Sequence, residues 1–340
     1  MSSVSEQISS PGSVNPIVVD EGIVDLPGLF PLHFGGTLSD VCVAWRLAGA
    51  ANAPIVAVLG GISAGRKVFA TSATEQGWWK EVVGPDCALD ARAFRILGID
   101  FLGGSGDTTG PRTGQQDFPS VSAYDQAALL AQLLQKLSLG SLHAVVGASY
   151  GGMVALAFAE RYAELVERIV VISAADRAHP LATAWRSVQR ATVRALSACG
   201  QGAEGLKLAR ALAMATYRSP SEFAQRFDSP PARTATGFRF PVEDYLYARG
   251  RAYADSYVPE AFVCLSESID LHRIDPTRIR VPTTLVAVRE DQLVPLADMQ
   301  ALRDRLSCQN RLVELSSLFG HDAFLKEATT LRAIFAEALQ

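Results

Sequence analysis

The sequence predicts an α/β protein in which helices cover both faces of a mostly parallel sheet and a helical segment is inserted between two strands. Three observations support this prediction. Short apolar runs without polar alternation are typical of strands that are buried on both faces. Helical patterns separate these runs, as parallel strands require. From about residue 179 to 275 the alternation stops and helix-like spacing continues without a convincing buried strand.

The predicted strands are rich in β-branched residues, and several end in a turn that contains glycine. They cover residues 55–59, 95–101, 143–146, 169–172, 283–288 and 311–315. The helices predicted between them cover 124–137, 151–162, 296–306 and 325–339. Within the insertion, apolar spacing predicts helices over 181–196, 203–217 and 242–257.

These elements predict three parts. Residues 1–14 are polar and Ser-rich and are expected to form a flexible tail. Residues 15–178 and 276–340 form the α/β core, and residues 179–275 form a helical lid. Hydrophobic residues make up 49% of the 340 positions, which is enough apolar material for a core of this size.

Composition excludes several classes of function. Thirty-one basic and 35 acidic residues give a net charge of −4, which disfavours nucleic-acid binding through phosphate neutralisation. No apolar run approaches the roughly 20 residues that span a membrane, and the N-terminus lacks the pattern of a secretory signal. The five cysteines form no CxxC pair, so neither a disulfide framework nor a metal site is predicted. We expect a soluble, cytoplasmic protein.

The strongest local signal for chemistry is the segment 147–151, which reads Gly-Ala-Ser-Tyr-Gly. It matches G-x-S-x-G, in which a serine sits on a strained turn between a strand and a helix. The flanking glycines let neighbouring backbone approach without a clash. A predicted strand precedes the segment and a helix follows it, so Ser149 is predicted to be a nucleophile rather than an incidental serine in a tight turn.

A serine nucleophile needs a base and an orienting carboxylate. Among five histidines, His321 follows the last predicted strand and precedes the last helix, where the base of such an enzyme belongs. Asp291 follows the preceding strand and is the predicted acid, with Glu290 as the alternative. The order Ser149, Asp291, His321 is that of the α/β-hydrolase fold.

An oxyanion hole is also expected. It should combine the backbone N–H of Tyr150 with an N–H from the loop that begins at Leu59 and Gly60. The alternative is that the glycine pair 60–61 forms only a tight turn.

The chain resembles the homoserine O-acyltransferases of the MetX type, an α/β-hydrolase-fold family of methionine biosynthesis. The resemblance extends over most of the chain, in the order of the family's motifs. The matching segments are 77–79 with 84–85, 103–104 with 109–111, 117–119, 147–153, 208–210 with 216–218, 245–246, and 320–325.

The resemblance implies acyl transfer from an acyl-CoA to the hydroxyl of L-homoserine through an acyl-enzyme on Ser149. Acyl-CoA is then a substrate, so no cofactor is expected, and a homodimer is implied. By position, Arg210 would hold the carboxylate of the amino acid and Asp322 its amino group. Without the resemblance, Arg210 is typical of a solvated helix residue and Asp322 of a helix N-cap.

Two cations, Arg66 and Lys67, follow Leu59 in the predicted oxyanion loop and give an indication of the acyl donor. A cation beside the acyl pocket would pair with the terminal carboxylate of a succinyl group, which favours succinyl-CoA over acetyl-CoA. The alternative is that both side chains face solvent.

A stripe of three arginines lies on one predicted lid helix, at Arg186, Arg190 and Arg194. It is interpreted as a solvated face, with contact to coenzyme A phosphates as the alternative.

Two other reactions remain open. L-Serine differs from homoserine by one methylene, which provides only about 1–3 kcal/mol of discrimination. An esterase or thioesterase of the same fold would hydrolyse acyl esters without an amino-acid acceptor.

Overall fold

An eight-stranded sheet forms the centre of the computed structural model, which describes residues 16–340; the predicted tail, 1–14, lies outside them. Its strands are β1 (Ile17–Pro31), β2 (Thr37–Ala50), β3 (Ile55–Leu59), β6 (Arg95–Ile99), β7 (Ala144–Ala148), β8 (Ile169–Ile172), β11 (Thr283–Val288) and β12 (Asn310–Leu315). From one edge of the sheet to the other, their order is β1-β2-β6-β3-β7-β8-β11-β12. Two minor pairs join β4 (Val83–Gly84) to β5 (Leu89–Asp90) and β9 (Ala232–Thr234) to β10 (Gly237–Arg239).

Neighbouring strands in the series β6, β3, β7, β8, β11 and β12 pair in parallel, which confirms the predicted fold class. They are buried on both faces: Val145 of β7 packs into one hydrophobic cluster and its neighbour Val146 into the other. The antiparallel hairpin β1–β2 was not predicted. Most residues of β1 are exposed, so it lacks the continuous apolar run used to recognise the other strands.

Helices flank the sheet and, together with the hairpin β9–β10, form the segment between β8 and β11. The helices of the α/β part are α1 (Ala123–Leu137), α2 (Tyr150–Arg161), α8 (Leu296–Arg305) and α9 (Ala328–Ala338). Those between β8 and β11 are α3 (Pro180–Ala198), α4 (Gly202–Tyr217), α5 (Pro220–Phe227), α6 (Pro241–Ala254) and α7 (Pro259–Asp270). Short 3-10 turns cover Ala163–Leu165, Pro276–Arg278 and Gly320–Leu325.

Helices α3 to α7, hereafter the lid helices, have a small core of their own. Val193, Leu206, Ala209, Tyr253 and Phe262 pack together there. Four of the five lid helices begin with a proline in the first turn, where the missing N–H costs no hydrogen bond. Among the residues from 16 onward, none of the helices is long and apolar enough to span a membrane.

Candidate active site

Ser149 sits at the sharp turn between β7 and α2, with φ +55° and ψ −122°. A non-glycine residue rarely adopts a positive φ, so the surrounding structure must hold this strained conformation. The glycines beside it are required by close approach. A Cβ on Gly151 would lie 2.1 Å from the carbonyl oxygen of Leu59, and one on Gly147 would lie 2.2 Å from that of Gly151. The turn thus has the steric basis expected of a nucleophile elbow.

The structure brings the three predicted catalytic side chains together. The Nε2 atom of His321 lies 2.8 Å from the hydroxyl oxygen of Ser149, and its Nδ1 atom lies 2.7 Å from Oδ2 of Asp291. His321 and Asp291 are buried, whereas Ser149 is partly exposed. The other oxygen of Asp291 accepts hydrogen bonds from the backbone N–H groups of Leu293 and Val294, at 2.8 and 3.0 Å. These bonds fix the carboxylate against the imidazole.

The charge of Asp291 sets the basicity of His321. Burial alone would lower the pKa of His321, but the charge and the hydrogen bond of Asp291 outweigh it, so the pKa lies above its ordinary value. Glu290, the alternative acid, does not contact His321. Its carboxylate accepts hydrogen bonds from the Ser316 hydroxyl and, at 2.8 Å, from the Ser317 backbone N–H.

The predicted oxyanion loop lies against the elbow. The carbonyl of Gly60 accepts a hydrogen bond of 2.8 Å from the N–H of Gly151. Tyr150 is the first residue of α2, so its own N–H has no acceptor within the helix. Gly61 to Ala64 contribute to the cavity wall near Ser149, whereas Leu59 and Gly60 do not line the cavity.

The side chain of Tyr150 points away from the cavity and into the protein. It is 1% exposed, and its hydroxyl lies 2.7 Å from the hydroxyl of Ser268 on α7. The elbow is therefore hydrogen-bonded directly to a lid helix.

A cavity of about 200 Å³ separates the triad from the lid helices. Ser149 and His321 line its floor, and Leu293 and Val294 contribute apolar surface beside them. The lid helices contribute Ala182, Trp185, Arg186, Gln189, Arg210, Thr216, Tyr217, Phe262, Ser266 and Ile269.

Both predicted substrate-binding residues line this cavity. The guanidinium of Arg210 lies over the rings of Tyr253 and Tyr217, 4.6 and 5.2 Å from their centres, and donates a hydrogen bond of 3.3 Å to the Tyr217 hydroxyl. Among residues 16–340 it has no carboxylate within 4.0 Å, so its charge remains available to an anionic ligand. Asp322 is 8% exposed and accepts a hydrogen bond of 2.9 Å from Nε of Arg218.

Arg218 is a functional candidate that the sequence interpretation missed. It holds one oxygen of Asp322 and lies 3.8 Å from Glu222, so it orients the carboxylate that faces the cavity. The only signal was its place in the family motif 216–218, since nothing in the spacing identified its partner.

The interpretation of Arg66 and Lys67 was wrong. Arg66 pairs with Asp100 and, at 2.6 Å, with Asp107, and Lys67 lies 3.0 Å from Glu75. Neither side chain lines the cavity in front of Ser149. Their charges are already matched by carboxylates from other loops.

Two of the three arginines in the stripe on α3 are not solvated. Arg186 and Arg190 both pair with Asp270 of α7, each at 2.6 Å, and Arg190 also donates to the carbonyl and hydroxyl of Ser266. The alternative for Arg190, contact with coenzyme A, also fails because it is buried away from the cavity. Arg194 is exposed, 3.7 Å from Glu267.

Two tryptophans of the motif 77–79 support the site: Trp78 lines the cavity, and Trp79 does not. The indole N–H of Trp79 donates to the carbonyl of Phe324 at 2.7 Å, which ties the motif to the His321 turn. The indole N–H of Trp78 donates to the carbonyl of Gly65 at 3.0 Å. In the part of the chain from residue 16 on, no cluster of His, Cys, Asp and Glu could hold a metal ion.

The sequence matches the family model of the α/β hydrolase fold over residues 54–328. It is 43% identical to a homoserine O-succinyltransferase of Xanthomonas campestris pv. campestris, over 96% of this chain and 85% of that protein. It is 32% identical to a serine O-succinyltransferase of Litchfieldella anticariensis, over 93% of this chain and 97% of that protein. A crystal structure of homoserine O-acetyltransferase from Bacillus anthracis matches with a TM-score of 0.85 and 18% identity, over 95% of this chain and 98% of that chain.

Proposed function

Because the chain belongs to the homoserine O-acyltransferase family of the α/β-hydrolase fold, we propose that it transfers a succinyl group from succinyl-CoA to the hydroxyl of L-homoserine. One observation carries this proposal. The hydrogen-bonded chain of Ser149, His321 and Asp291 opens into a cavity that also exposes a guanidinium and a carboxylate, Arg210 and Asp322. These two groups suit a zwitterionic amino acid.

In the first half-reaction, His321 accepts the proton of the Ser149 hydroxyl through Nε2, and the serine oxygen attacks the thioester carbonyl. The N–H of Tyr150 and an N–H of the loop after Leu59 stabilise the resulting oxyanion, and one such donor contributes about 3–4 kcal/mol. The tetrahedral intermediate then expels the thiolate of coenzyme A, which takes the proton from His321. Ser149 is left as an ester of the acyl group.

In the second half-reaction, L-homoserine binds with its carboxylate on Arg210 and its amino group on Asp322. His321 accepts the proton of the γ-hydroxyl, whose oxygen attacks the acyl ester. When the intermediate collapses, Ser149 leaves and recovers the proton from His321. The product is the O-acyl amino acid, and the enzyme returns to its starting state.

Transfer competes with hydrolysis of the acyl-enzyme by water. The cavity lies beneath α3 and α4, and apolar side chains such as Trp185 and Phe262 contribute to its walls. A bound amino acid in this space would displace water and present its hydroxyl at high effective concentration.

The succinyl donor is supported by two relatives whose names contain succinyltransferase. One of them is named for serine, which favours L-serine as the second candidate acceptor. We further propose, from the family, that the enzyme acts in the cytoplasm as a homodimer and uses its small-molecule substrates without a cofactor.

The test incubates the protein with succinyl-CoA or acetyl-CoA and with L-homoserine, L-serine or no acceptor. Release of the coenzyme A thiol is followed, and the product is identified by mass spectrometry. We expect the fastest thiol release with succinyl-CoA and L-homoserine. Equal thiol release with and without an amino acid would instead identify a thioesterase and overturn the proposal.

A further inference from the structure

We propose that Arg186 and Gln189 of α3 form the binding site for the distal carboxylate of the acyl group, and that Asp270 positions Arg186 there. The inference rests on the proposed function, because it names the part of the cavity that selects the donor. It replaces the incorrect role of Arg66 and Lys67 with residues that line the cavity.

Positive charge is in surplus around Asp270. Asp270 is the carboxylate partner of both Arg186 and Arg190, and the three side chains are only 9 to 12% exposed. Within residues 16–340 no second carboxylate lies within 4.0 Å of either guanidinium. Two cations and one anion leave a net charge of +1 in a weakly polar environment, which is unfavourable unless another anion approaches.

The geometry of Arg186 leaves part of its guanidinium available to a ligand. Arg186 donates a hydrogen bond from Nε to one oxygen of Asp270 at 2.8 Å, and its Nη2 lies 2.6 Å from the same oxygen. Its Nη1 has no acceptor in the described part of the chain. Arg186 lines the same cavity as Ser149. Its charge also reaches the triad: burial lowers the pKa of His321, Asp291 raises it, and Arg186 lowers it. The guanidinium is therefore fixed in place and close to the reacting groups.

Polar groups without hydrogen-bond partners also line the cavity. Gln189 lies three residues after Arg186, on the same face of α3, and is 4% exposed. Its side-chain amide has no hydrogen-bond partner among the residues described. The buried hydroxyl of Ser173, at the end of β8, also lines the cavity and also lacks a partner. Buried polar groups are nearly always hydrogen-bonded, so these groups are suited to polar atoms of a ligand.

The anionic groups of the proposed substrates indicate which ligand would bind Arg186. The carboxylate of the amino acid is assigned to Arg210, and the phosphates of coenzyme A are separated from the thioester by the long pantetheine arm. The remaining anion near Ser149 is the terminal carboxylate of a dicarboxylic acyl group such as succinyl. An acetyl group has no carboxylate that could pair with Arg186.

The test compares Arg186→Gln with the matched control Arg190→Gln. Both variants remove one guanidinium from Asp270, but only Arg186 lines the cavity. The readout is the ratio of kcat/KM for succinyl-CoA to kcat/KM for acetyl-CoA. We expect this ratio to fall about tenfold to a hundredfold in Arg186→Gln, because a hydrogen bond between charged groups is lost. In Arg190→Gln the ratio should stay within about twofold of the wild type.

A ratio that is unchanged in Arg186→Gln, or that falls equally in Arg190→Gln, would overturn the inference. Should Arg186→Gln not fold, Gln189→Leu provides the same readout, with a smaller expected fall of about threefold to tenfold.

A second pair of donors separates this inference from the proposed function. Mono-4-nitrophenyl succinate and 4-nitrophenyl acetate acylate Ser149 without any acceptor, and nitrophenolate release reports the same ratio. If L-homoserine is never acylated but Arg186→Gln lowers the ester ratio, the proposed function fails and the acyl subsite stands. If L-homoserine is acylated and neither ratio moves, only the subsite fails.

Discussion

Two buried carboxylates on either side of the cavity are used in different ways. Asp291, at the end of a core strand, has one imidazole and two backbone N–H groups as partners. Asp270, at the end of a lid helix, has two guanidiniums and the Thr183 hydroxyl. In the core, one negative charge serves to tune one base. In the lid, one negative charge fixes two cations and leaves positive charge for a ligand.

The groups proposed to react and most of the groups proposed to select the substrate lie on different parts of the fold. The proposed reacting groups are held at the sheet edge, and the proposed selecting groups are on the lid helices, except Asp322, which lies next to His321. Changes on the core side should therefore reduce turnover for every substrate, whereas changes on the lid side should redistribute activity among substrates.

The largest expected effect is that of Ser149→Ala. Removal of the nucleophile should lower kcat by about four to six orders of magnitude for every donor, because the acyl-enzyme cannot form. The measurement is thiol release with both donors, and the thermal unfolding midpoint should stay within a few degrees of the wild type. Turnover within tenfold of the wild type would contradict the assignment of Ser149.

Asp291→Asn should have the next largest effect. We expect kcat to fall about 10⁴-fold, because the amide no longer holds the required tautomer of His321 or stabilises its cation. Glu290→Gln is the matched control, since Glu290 is adjacent in sequence and does not contact His321. A larger loss in Glu290→Gln than in Asp291→Asn would reverse the assignment of the acid.

A lid change should act on the acceptor. Arg210→Gln should raise the KM for L-homoserine about tenfold to a hundredfold, because a charge-assisted hydrogen bond to the substrate carboxylate is lost. The ratio of kcat/KM values for the two 4-nitrophenyl esters, in contrast, should follow Arg186 and not Arg210. An unchanged KM for L-homoserine in Arg210→Gln would remove Arg210 from the acceptor site.

The smallest expected effect is the dependence on pH. The proposed base, His321, can accept a proton only when neutral, and its pKa is raised above the ordinary value of 6.5 because Asp291 outweighs the opposing effect of burial. Activity should thus be complete at high pH and decline as the pH falls through this raised pKa. A profile of kcat/KM against pH should place the acid midpoint above 6.5, and a midpoint below 6.5 would contradict this account.

The core side of the site could be predicted from the sequence, because its residues are tied to recognisable backbone elements. Ser149 follows a buried strand, and His321 follows the last one, so chain order alone places both at the same sheet edge. The lid side could not be predicted in the same way. The partner of Arg186 is Asp270, and that of Arg66 is Asp100. Spacing along one helix or loop contains no information about partners contributed by distant segments.

The fold shows the same division. Continuous apolar runs identified the parallel strands, but β1 is mostly exposed and was missed. The lid helices α5 and α7 were also missed, although each begins with a proline that marks a helix start.

Helix α7 joins the two halves of the site. Ser268 on this helix meets the Tyr150 hydroxyl of the elbow, and two residues later Asp270 meets the arginines of α3. Both the elbow that carries Ser149 and the arginine Arg186 are therefore connected to the same helix. That helix sets the distance between the attacking oxygen and the proposed acyl-binding group. A shift of α7 would misalign attack and selection together, whereas a substitution on α3 would alter selection alone. New acyl preferences in this scaffold should accordingly arise on α3 more readily than on α7.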